Sequence, residues 1–228
     1  MGEDSKKTPK PMIEIGGIPI ISHIMNRYSL FGINDFIICG GHKFNVIKKF
    51  FKEVSQSNTK ENKFYESFNI KVIDTGKDTM TGGRLKRVEK YLENQTFCFT
   101  YGDTLNDLNI KKLVEFHKKH KTLATVTACK PNEKFGILDL DNSKVIKFQE
   151  KPTSTRWVNG GYFVLEPEVY DYIENDSTVW EQEPMIKLVE KKKMAAYRHT
   201  GFYQPMDTIT EKNHLNKLWE SGNALWKI

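Results

Sequence analysis

The chain has few cysteines and few histidines for its 228 residues. The three cysteines, Cys39, Cys98 and Cys129, are an odd number, and none belongs to a Cys-x-x-Cys pair. A disulfide framework or a zinc site would need such pairs, so we predict buried free thiols in a reducing compartment. The six histidines are scattered along the chain, which argues further against a zinc site.

A long hydrophobic run is also missing. The longest apolar stretches, such as residues 18–24, are too short and too interrupted to cross a bilayer. Residues 1–7 have no apolar core of the kind that a secretory signal requires. We therefore predict a cytoplasmic protein that has no membrane partner.

Motifs for nucleic acid and for dinucleotides are absent too. The net charge is +6 and the pI is near 9.0, but no recognition motif accompanies the lysines. We interpret the lysine clusters as solvated helix ends that attract small anions, and we expect no nucleic-acid partner. No G-x-G-x-x-G segment follows a predicted strand, which argues against an NAD-dependent oxidoreductase.

Apolar periodicity predicts alternating helices and strands in the first half of the chain, an order typical of a doubly wound parallel sheet. The second half adds a smaller mixed-sheet lobe with a hairpin around residues 141–143. We expect a single α/β domain over residues 1–228, in which residues 1–129 form one half and residues 130–228 the other. Strands are predicted over residues 35–41, 68–74, 97–103, 123–129, 135–140, 144–149, 157–165 and 194–199. Helices are predicted over residues 19–31, 44–54, 81–92, 110–119, 168–173, 180–190 and 208–219.

An apolar strand ends abruptly at Gly102-Asp103. Ligands of open α/β sheets lie beyond the carboxyl ends of the strands, and a carboxylate there can hold Mg²⁺ beside substrate phosphates. The alternative is an ordinary Gly-Asp turn. Lys10 lies between two prolines, which hold the backbone stiff and suit the ammonium to neutralising a phosphate. The alternative is a solvated lysine in a proline-rich segment.

Asp207 precedes the last predicted helix, so it either caps that helix or faces Asp103 across one metal ion. Thr81, Gly83 and Arg84 lie at another helix start, where backbone N–H groups can receive an anion or a base edge. Glycines at helix starts are common, so this motif alone is weak.

Two further segments combine polar side chains with tight backbone. Glu150 and Lys151 precede a proline, and Asn159-Gly160-Gly161 lies in a predicted strand. These groups offer acceptors for sugar hydroxyls, a cation for a phosphate and an amide for either. The alternative readings are a surface turn and a strand bulge.

Taken in order, these segments resemble the sugar-1-phosphate nucleotidyltransferase family, and within it the glucose-1-phosphate cytidylyltransferases. The resemblance covers nearly the whole chain and is carried by the phrases KPMIEIGGIPI, DTMTGGRLKRV, TFCFTYGD, VNGGYFVLEPEV, YQPMDT, TVWEQEP and LWESGNALWK.

The resemblance implies that the protein forms CDP-glucose and pyrophosphate from CTP and α-D-glucose 1-phosphate, with Mg²⁺ as cofactor. It also implies a Rossmann-like, mixed and mainly parallel sheet with a smaller sugar-binding lobe. By the family's pattern, Lys10 and Asp103 are catalytic, and Asp103 and Asp207 hold the metal. The substrate-binding residues that it implies are Thr81, Gly83, Arg84, Gly102, Glu150, Lys151, Asn159 and Gly160. A homo-oligomer is also compatible with it.

The chain departs from the family at its start, where residues 1–8 contain neither an apolar strand nor a glycine-rich loop. That loop supplies N–H groups to the triphosphate, so we expect the chain as written to be much less active than one that carries it. Three explanations are open. The chain is an incomplete copy, which we favour, or it is a sugar-nucleotide-binding homologue without turnover, or another polypeptide supplies the loop. The segment over residues 52–69 is also shorter than in the family. The resemblance therefore does not fix the oligomer contacts, nor whether the sugar is glucose or a related one.

Overall fold

The central element of the fold is a four-stranded sheet, which in spatial order consists of β11 (Met194–Arg198), β7 (Ala124–Cys129), β10 (Val158–Leu165) and β5 (Phe97–Thr100). This computed structural model describes residues 8–56, 62–133 and 135–227. β10 runs antiparallel to β5 and β7, whereas β7 and β11 run parallel, so three of the four strands share one direction. The predicted mixed α/β sheet is therefore confirmed.

A separate parallel pair consists of β3 Asp35–Gly40 and β4 Asn69–Asp74. Within the described residues, β3 pairs only with β4, and β5 pairs only with β10. Three further antiparallel pairs are short or project outward. They are β1 Glu14–Ile15 with β2 Ile18–Pro19, β6 Thr104–Asn106 with β12 Tyr203–Pro205, and β8 Ile137–Asp141 with β9 Lys144–Gln149.

Helices pack around these strands at the positions that the apolar periodicity predicts. They are α1 Ile20–Ser29, α2 Phe44–Gln56, α3 Thr81–Val88, α4 Ile110–His120, α5 Glu183–Glu190 and α6 Ile209–Glu220. Buried side chains join them to the sheets in three apolar clusters. No helix in the described part of the chain is long and apolar enough to cross a membrane.

The structure corrects three helix predictions. The helix expected over residues 81–92 ends at Val88, and a 3-10 turn over Glu89–Tyr91 follows it. The segment expected to be a helix over residues 168–173 is a 3-10 turn, Pro167–Tyr172. The helix expected over residues 180–190 starts only at Glu183, with a proline in its first turn and the fully buried Trp180 outside it. A proline favours the first turn because its missing N–H has no helical partner there.

Some sequence expectations fall partly on residues that the structure does not describe. These are the missing loop before residue 8, which concerns residues 1–7, and the polar segment over residues 55–63, of which residues 57–61 lie outside the described ranges.

The predicted hairpin around residues 141–143 is confirmed as β8 and β9. Leu138 pairs with Phe148 and Leu140 with Val145, so these four apolar side chains share one face of the hairpin. They are 50–60% exposed, and a lone two-stranded hairpin is only marginally stable in water.

Candidate active site

Lys10 is held by a stiff turn at the start of the described chain. Pro9 has φ −64° and ψ 144°, and a 3-10 turn over Lys10–Met12 follows it. The N–H of Met12 donates to the carbonyl of Pro9 at 2.8 Å, and the Met12 side chain is buried. The turn and the buried methionine leave the lysine side chain partly exposed.

The ammonium of Lys10 bridges two carboxylates from remote parts of the chain. Nζ donates to Oδ2 of Asp103 at 2.6 Å and to Oδ1 of Asp207 at 2.5 Å. The three side chains are 30%, 28% and 55% exposed, so the cluster is open to a solute. The two acids thus lie close together, as a shared metal ion would require, and the ammonium of Lys10 lies between them. The metal ion itself stays a prediction.

The strand pair β6–β12 brings these two acids together. β6 begins at Thr104, directly after Asp103, and it pairs with β12, whose last residue is Pro205. The N–H of Met206 donates to the carbonyl of Asp103 at 2.9 Å, and the Met206 side chain is fully buried. The backbone between the strand ends thus fixes the separation of the two carboxyl groups.

Asp207 does not cap α6. Thr208 caps it, because its hydroxyl accepts the N–H of Glu211, and the Glu211 side chain accepts the N–H of Thr208 in return. The same carboxylate accepts the N–H of Asp207 at 2.7 Å. The Asp207 side chain is left to bond Lys10.

Electrostatics favour the charged form of Lys10. Partial burial lowers the pKa of Lys10, but the hydrogen bonds to Asp103 and Asp207 raise it, and the net result lies above the ordinary value of 10.5. The ammonium therefore persists through the neutral range. Without it, the two carboxylates would repel each other at this distance.

The two carboxylates fit a hard cation. Their oxygens are of the kind that Mg²⁺ prefers when substrate phosphates supply the other ligands. The described residues contain no group of three or more His, Cys, Asp or Glu side chains that could hold a metal by themselves. A metal at this position would therefore depend on oxygens from a substrate or water.

A second cluster surrounds the hydroxyl of Tyr101, two residues before Asp103. This hydroxyl donates to Oε1 of Glu181 at 2.6 Å and accepts Nδ2–H of Asn159 at 3.0 Å. Glu181 also accepts the hydroxyl of Thr81 at 2.7 Å through Oε2. The structure thus joins two sequence-predicted site residues, Thr81 and Asn159, through two residues that were not predicted.

The helix start at residues 81–84 packs differently from the expectation. The N–H groups of Gly82 and Gly83, expected to face a ligand, both donate to the carbonyl of Thr178, at 3.0 and 3.2 Å. A Cβ on Gly83 would lie 2.6 Å from the backbone of Asp176, so glycine is required for this contact. The contact with residues 176–178 explains both glycines without a ligand.

Arg84 points toward the ends of β3 and β4. Its guanidinium donates to the hydroxyl of Thr75 at 2.8 Å and to the carbonyl of Lys77 at 3.2 Å, and it lies against Gly41. These contacts belong to neither hydrogen-bonded cluster.

Close backbone packing accounts for two of the predicted glycines. A Cβ on Gly160 would lie 2.6 Å from Sγ of Cys129, and one on Gly102 would lie 3.0 Å from the Pro11 ring. Gly102 therefore lets the Lys10 turn approach β5. Gly160 lets β10 approach β7 beside Asn159, where the strand register shifts.

Glu150 and Lys151 lie away from both clusters. They form an ion pair with each other at 3.6 Å, and each side chain is 62% exposed. The structure thus brings Lys10 together with Asp103 and Asp207, and Thr81 with Asn159, but it does not bring Glu150 or Lys151 to them.

Sequence reasoning missed Tyr101 and Glu181. The phrase TVWEQEP carried part of the family resemblance, yet its glutamates read as the start of a helix. The signal that was available is the tryptophan beside Glu181, since a large aromatic tends to be buried and fixes its neighbour's position.

Comparisons with known proteins agree with the family resemblance seen in the sequence. The sequence profile of the family described as "Nucleotidyl transferase" matches residues 5–220. The chain is 47% identical to the glucose-1-phosphate cytidylyltransferase of Salmonella typhi, with 100% of this chain and 94% of the relative covered. It is 36% identical, with the same coverage, to a probable glucose-1-phosphate cytidylyltransferase of Bacillus subtilis (strain 168).

The fold is also similar to a solved structure, a putative glucose-1-phosphate thymidylyltransferase from Bacillus anthracis in complex with a sucrose. The TM-score is 0.68 at 20% identity, with 96% of this chain and 89% of that chain covered. At this low identity, the likeness shows the fold alone.

Proposed function

Because the chain belongs to the nucleotidyl transferase family, we infer that it transfers a nucleotidyl group to a sugar 1-phosphate. Its full-length similarity to glucose-1-phosphate cytidylyltransferases gives CTP as the donor and glucose 1-phosphate as the acceptor. The products are CDP-glucose and pyrophosphate, so the enzyme serves nucleotide-sugar biosynthesis.

One structural observation supports this chemistry: the ammonium of Lys10 lies against two carboxylates that the fold brings together from 93 and 197 residues away. In the reaction, an oxygen of the sugar phosphate bonds to the α-phosphorus of CTP. The bond from that phosphorus to the bridging oxygen breaks, and its electron pair leaves with pyrophosphate. Such a transfer needs positioning and neutralisation of charge rather than a covalent nucleophile, and Lys10 supplies a fixed positive charge.

Mg²⁺ is our proposal for the cofactor. Asp103 and Asp207 would hold it, since their oxygens suit a hard cation and the phosphates of CTP complete its ligands. When bound, the ion neutralises negative charge on the transferring phosphate.

The other site residues and the context stay predictions. Thr81, Gly83 and Arg84 are proposed for the nucleotide, and Glu150, Lys151 and Asn159 for the sugar and its phosphate. Gly102 and Gly160 are proposed as substrate-binding without assignment to either substrate. The two halves, residues 1–129 and 130–228, are proposed as the nucleotide and sugar sides. We also retain a homo-oligomer, which the exposed apolar face of the β8–β9 hairpin supports, and a cytoplasmic location.

A pyrophosphate-release assay with glucose 1-phosphate, Mg²⁺ and each of the four nucleoside triphosphates tests the function. We expect release with CTP well above that with ATP, GTP or UTP, and loss of release in Asp103→Asn. Binding of CTP without release, or equal rates with all four nucleotides, would contradict the proposal.

A further inference from the structure

Glu181 occupies a fixed position between the predicted nucleotide and sugar sides. Its neighbour Trp180 is fully buried and packs edge-to-face against Phe99 and Phe163, with ring centroids 6.3 and 6.0 Å apart. The N–H of Trp180 donates to the hydroxyl of Thr81 at 2.9 Å. The backbone of Glu181 is therefore anchored by the core and not by the surface.

The carboxylate of Glu181 determines which way the neighbouring hydrogen bonds run. Tyr101 has a single hydroxyl proton and donates it to Glu181 at 2.6 Å, so its oxygen is available to accept. It accepts Nδ2–H of Asn159, while Oδ1 of Asn159 accepts the N–H of Gly161 at 2.8 Å. Both ends of the Asn159 amide are thus oriented.

This arrangement leaves the second N–H of the Asn159 side chain without a partner among the described residues. The amide nitrogen of Asn159 carries two hydrogens, and only one has a partner within the described residues. Asn159 lies at the partly exposed start of β10, which pairs directly with β5, the strand that precedes Asp103. An oriented amide N–H suits an acceptor such as a sugar hydroxyl.

We propose that Glu181 is a positioning residue for the sugar phosphate: through the Tyr101 hydroxyl, it holds the Asn159 amide with its second N–H directed at a sugar hydroxyl. This inference rests on the proposed function and extends it to a residue to which the family resemblance assigned no role. Glu181 acts through its neighbours. Its effect falls on the sugar side through Tyr101 and Asn159, whereas Thr81 on the nucleotide side stays held by the N–H of Trp180.

Glu181→Gln tests the proposal, because glutamine has nearly the same shape but only one accepting oxygen. It cannot accept both hydroxyls, and it forces either Thr81 or Tyr101 to reverse its bond. We expect KM for glucose 1-phosphate to rise about fivefold to tenfold, the value of one hydrogen bond, with KM for CTP changed less than about twofold.

Glu166→Gln is the matched control. Glu166 follows the far end of β10, accepts the hydroxyl of Thr96 at 2.7 Å and lies 2.9 Å from Nε2 of His117, so the same change disturbs a similar bonded carboxylate. It should leave both KM values unchanged.

Tyr101→Phe provides a second variant should Glu181→Gln unfold. It removes the hydroxyl through which Glu181 acts, so it should raise the same KM, and the double variant should be no worse than Tyr101→Phe alone. Additive effects, equal changes in both KM values, or an unchanged KM for glucose 1-phosphate would overturn the proposal. Absence of turnover by the unmodified chain would instead overturn the proposed function, and this inference with it.

Discussion

Lys10 holds two acids from distant parts of the chain with one ammonium group. Lys10→Ala should therefore lower kcat about 10²-fold to 10³-fold, the usual effect of removing one donor that stabilises developing charge. The pyrophosphate-release assay with CTP and glucose 1-phosphate measures this change.

Lys49→Ala is the control for that change. Lys49 also lies near a carboxylate, Glu53 at 3.7 Å, but on an exposed helix face. Its loss should leave kcat unchanged, because exposed pairs of this kind contribute little. A kcat of Lys10→Ala within threefold of the unmodified chain would contradict the assigned role.

At the residue scale, the sequence predicted the groups that sit next to a backbone signal. Lys10 lies between prolines, Asp103 follows a glycine at a strand end, and Asp207 precedes a helix. Glu181 has no such neighbour signal, since its partners Thr81 and Tyr101 are 100 and 80 residues away. The adjacent Trp180 indicates that this position is anchored in the core, but it does not reveal these remote partners.

The cap of α6 belongs to the element scale. Thr208→Ala removes the hydroxyl that accepts the N–H of Glu211, which should lower stability by about 1 kcal/mol. The Glu211 carboxylate also holds the N–H of Asp207, so we expect kcat/KM to fall about tenfold as that carboxyl shifts. Thermal unfolding and the release assay give the two values.

Asn109→Ala separates these two effects. Asn109 caps α4 by accepting the N–H of Lys112 at 2.9 Å, in a helix that lies outside both clusters. It should lower the melting temperature about as much as Thr208→Ala and leave kcat/KM unchanged. If both variants lost activity equally, the cap of α6 would have no special link to Asp207.

The strands of four or more residues were predicted, because their apolar pattern is visible in the sequence. β6 and β12 were missed, although they bring Asp103 and Asp207 together. Each has three residues, too few for a period of two to be distinguished from a loop. Their pairing joins segments about a hundred residues apart, which a local pattern does not record.

At the scale of the whole molecule, the reactivity of the three cysteine thiols shows how far their strands are shielded from solvent. Burial raises the pKa of Cys39 to about 11 and the pKa values of Cys98 and Cys129 to about 12. The thiolate is the reactive form, so it becomes populated only as the pH rises toward those values. At pH 8 the folded chain should react very slowly with a disulfide-exchange reagent.

The unfolded chain is the reference for this measurement, and all three thiols should react there at once. Rapid reaction of any one cysteine in the folded chain would show that its strand is open to solvent. The prediction of buried free thiols from the sequence would then be wrong for that position.

The overall α/β class followed from the alternation of elements, but the separation of the β3–β4 pair from the four-stranded sheet did not. Hydrogen bonding in the described residues separates the β3–β4 pair from the four-stranded sheet, and no property of either strand alone reveals this. Sheet order depends on long-range pairing, which the sequence of one strand does not encode.

The lysine bridge has a consequence for how the proposed metal and nucleotide affect each other's binding. With Lys10 seated between Asp103 and Asp207, an incoming dication must compete with a charge that the chain itself provides. A triphosphate that binds the Lys10 ammonium would move it from between the two carboxylates and free that position for a dication. A dication that binds there would in turn free Lys10 to bind the triphosphate. By thermodynamic reciprocity, each ligand would then raise the affinity for the other by the same factor, so the proposed metal and nucleotide would bind cooperatively.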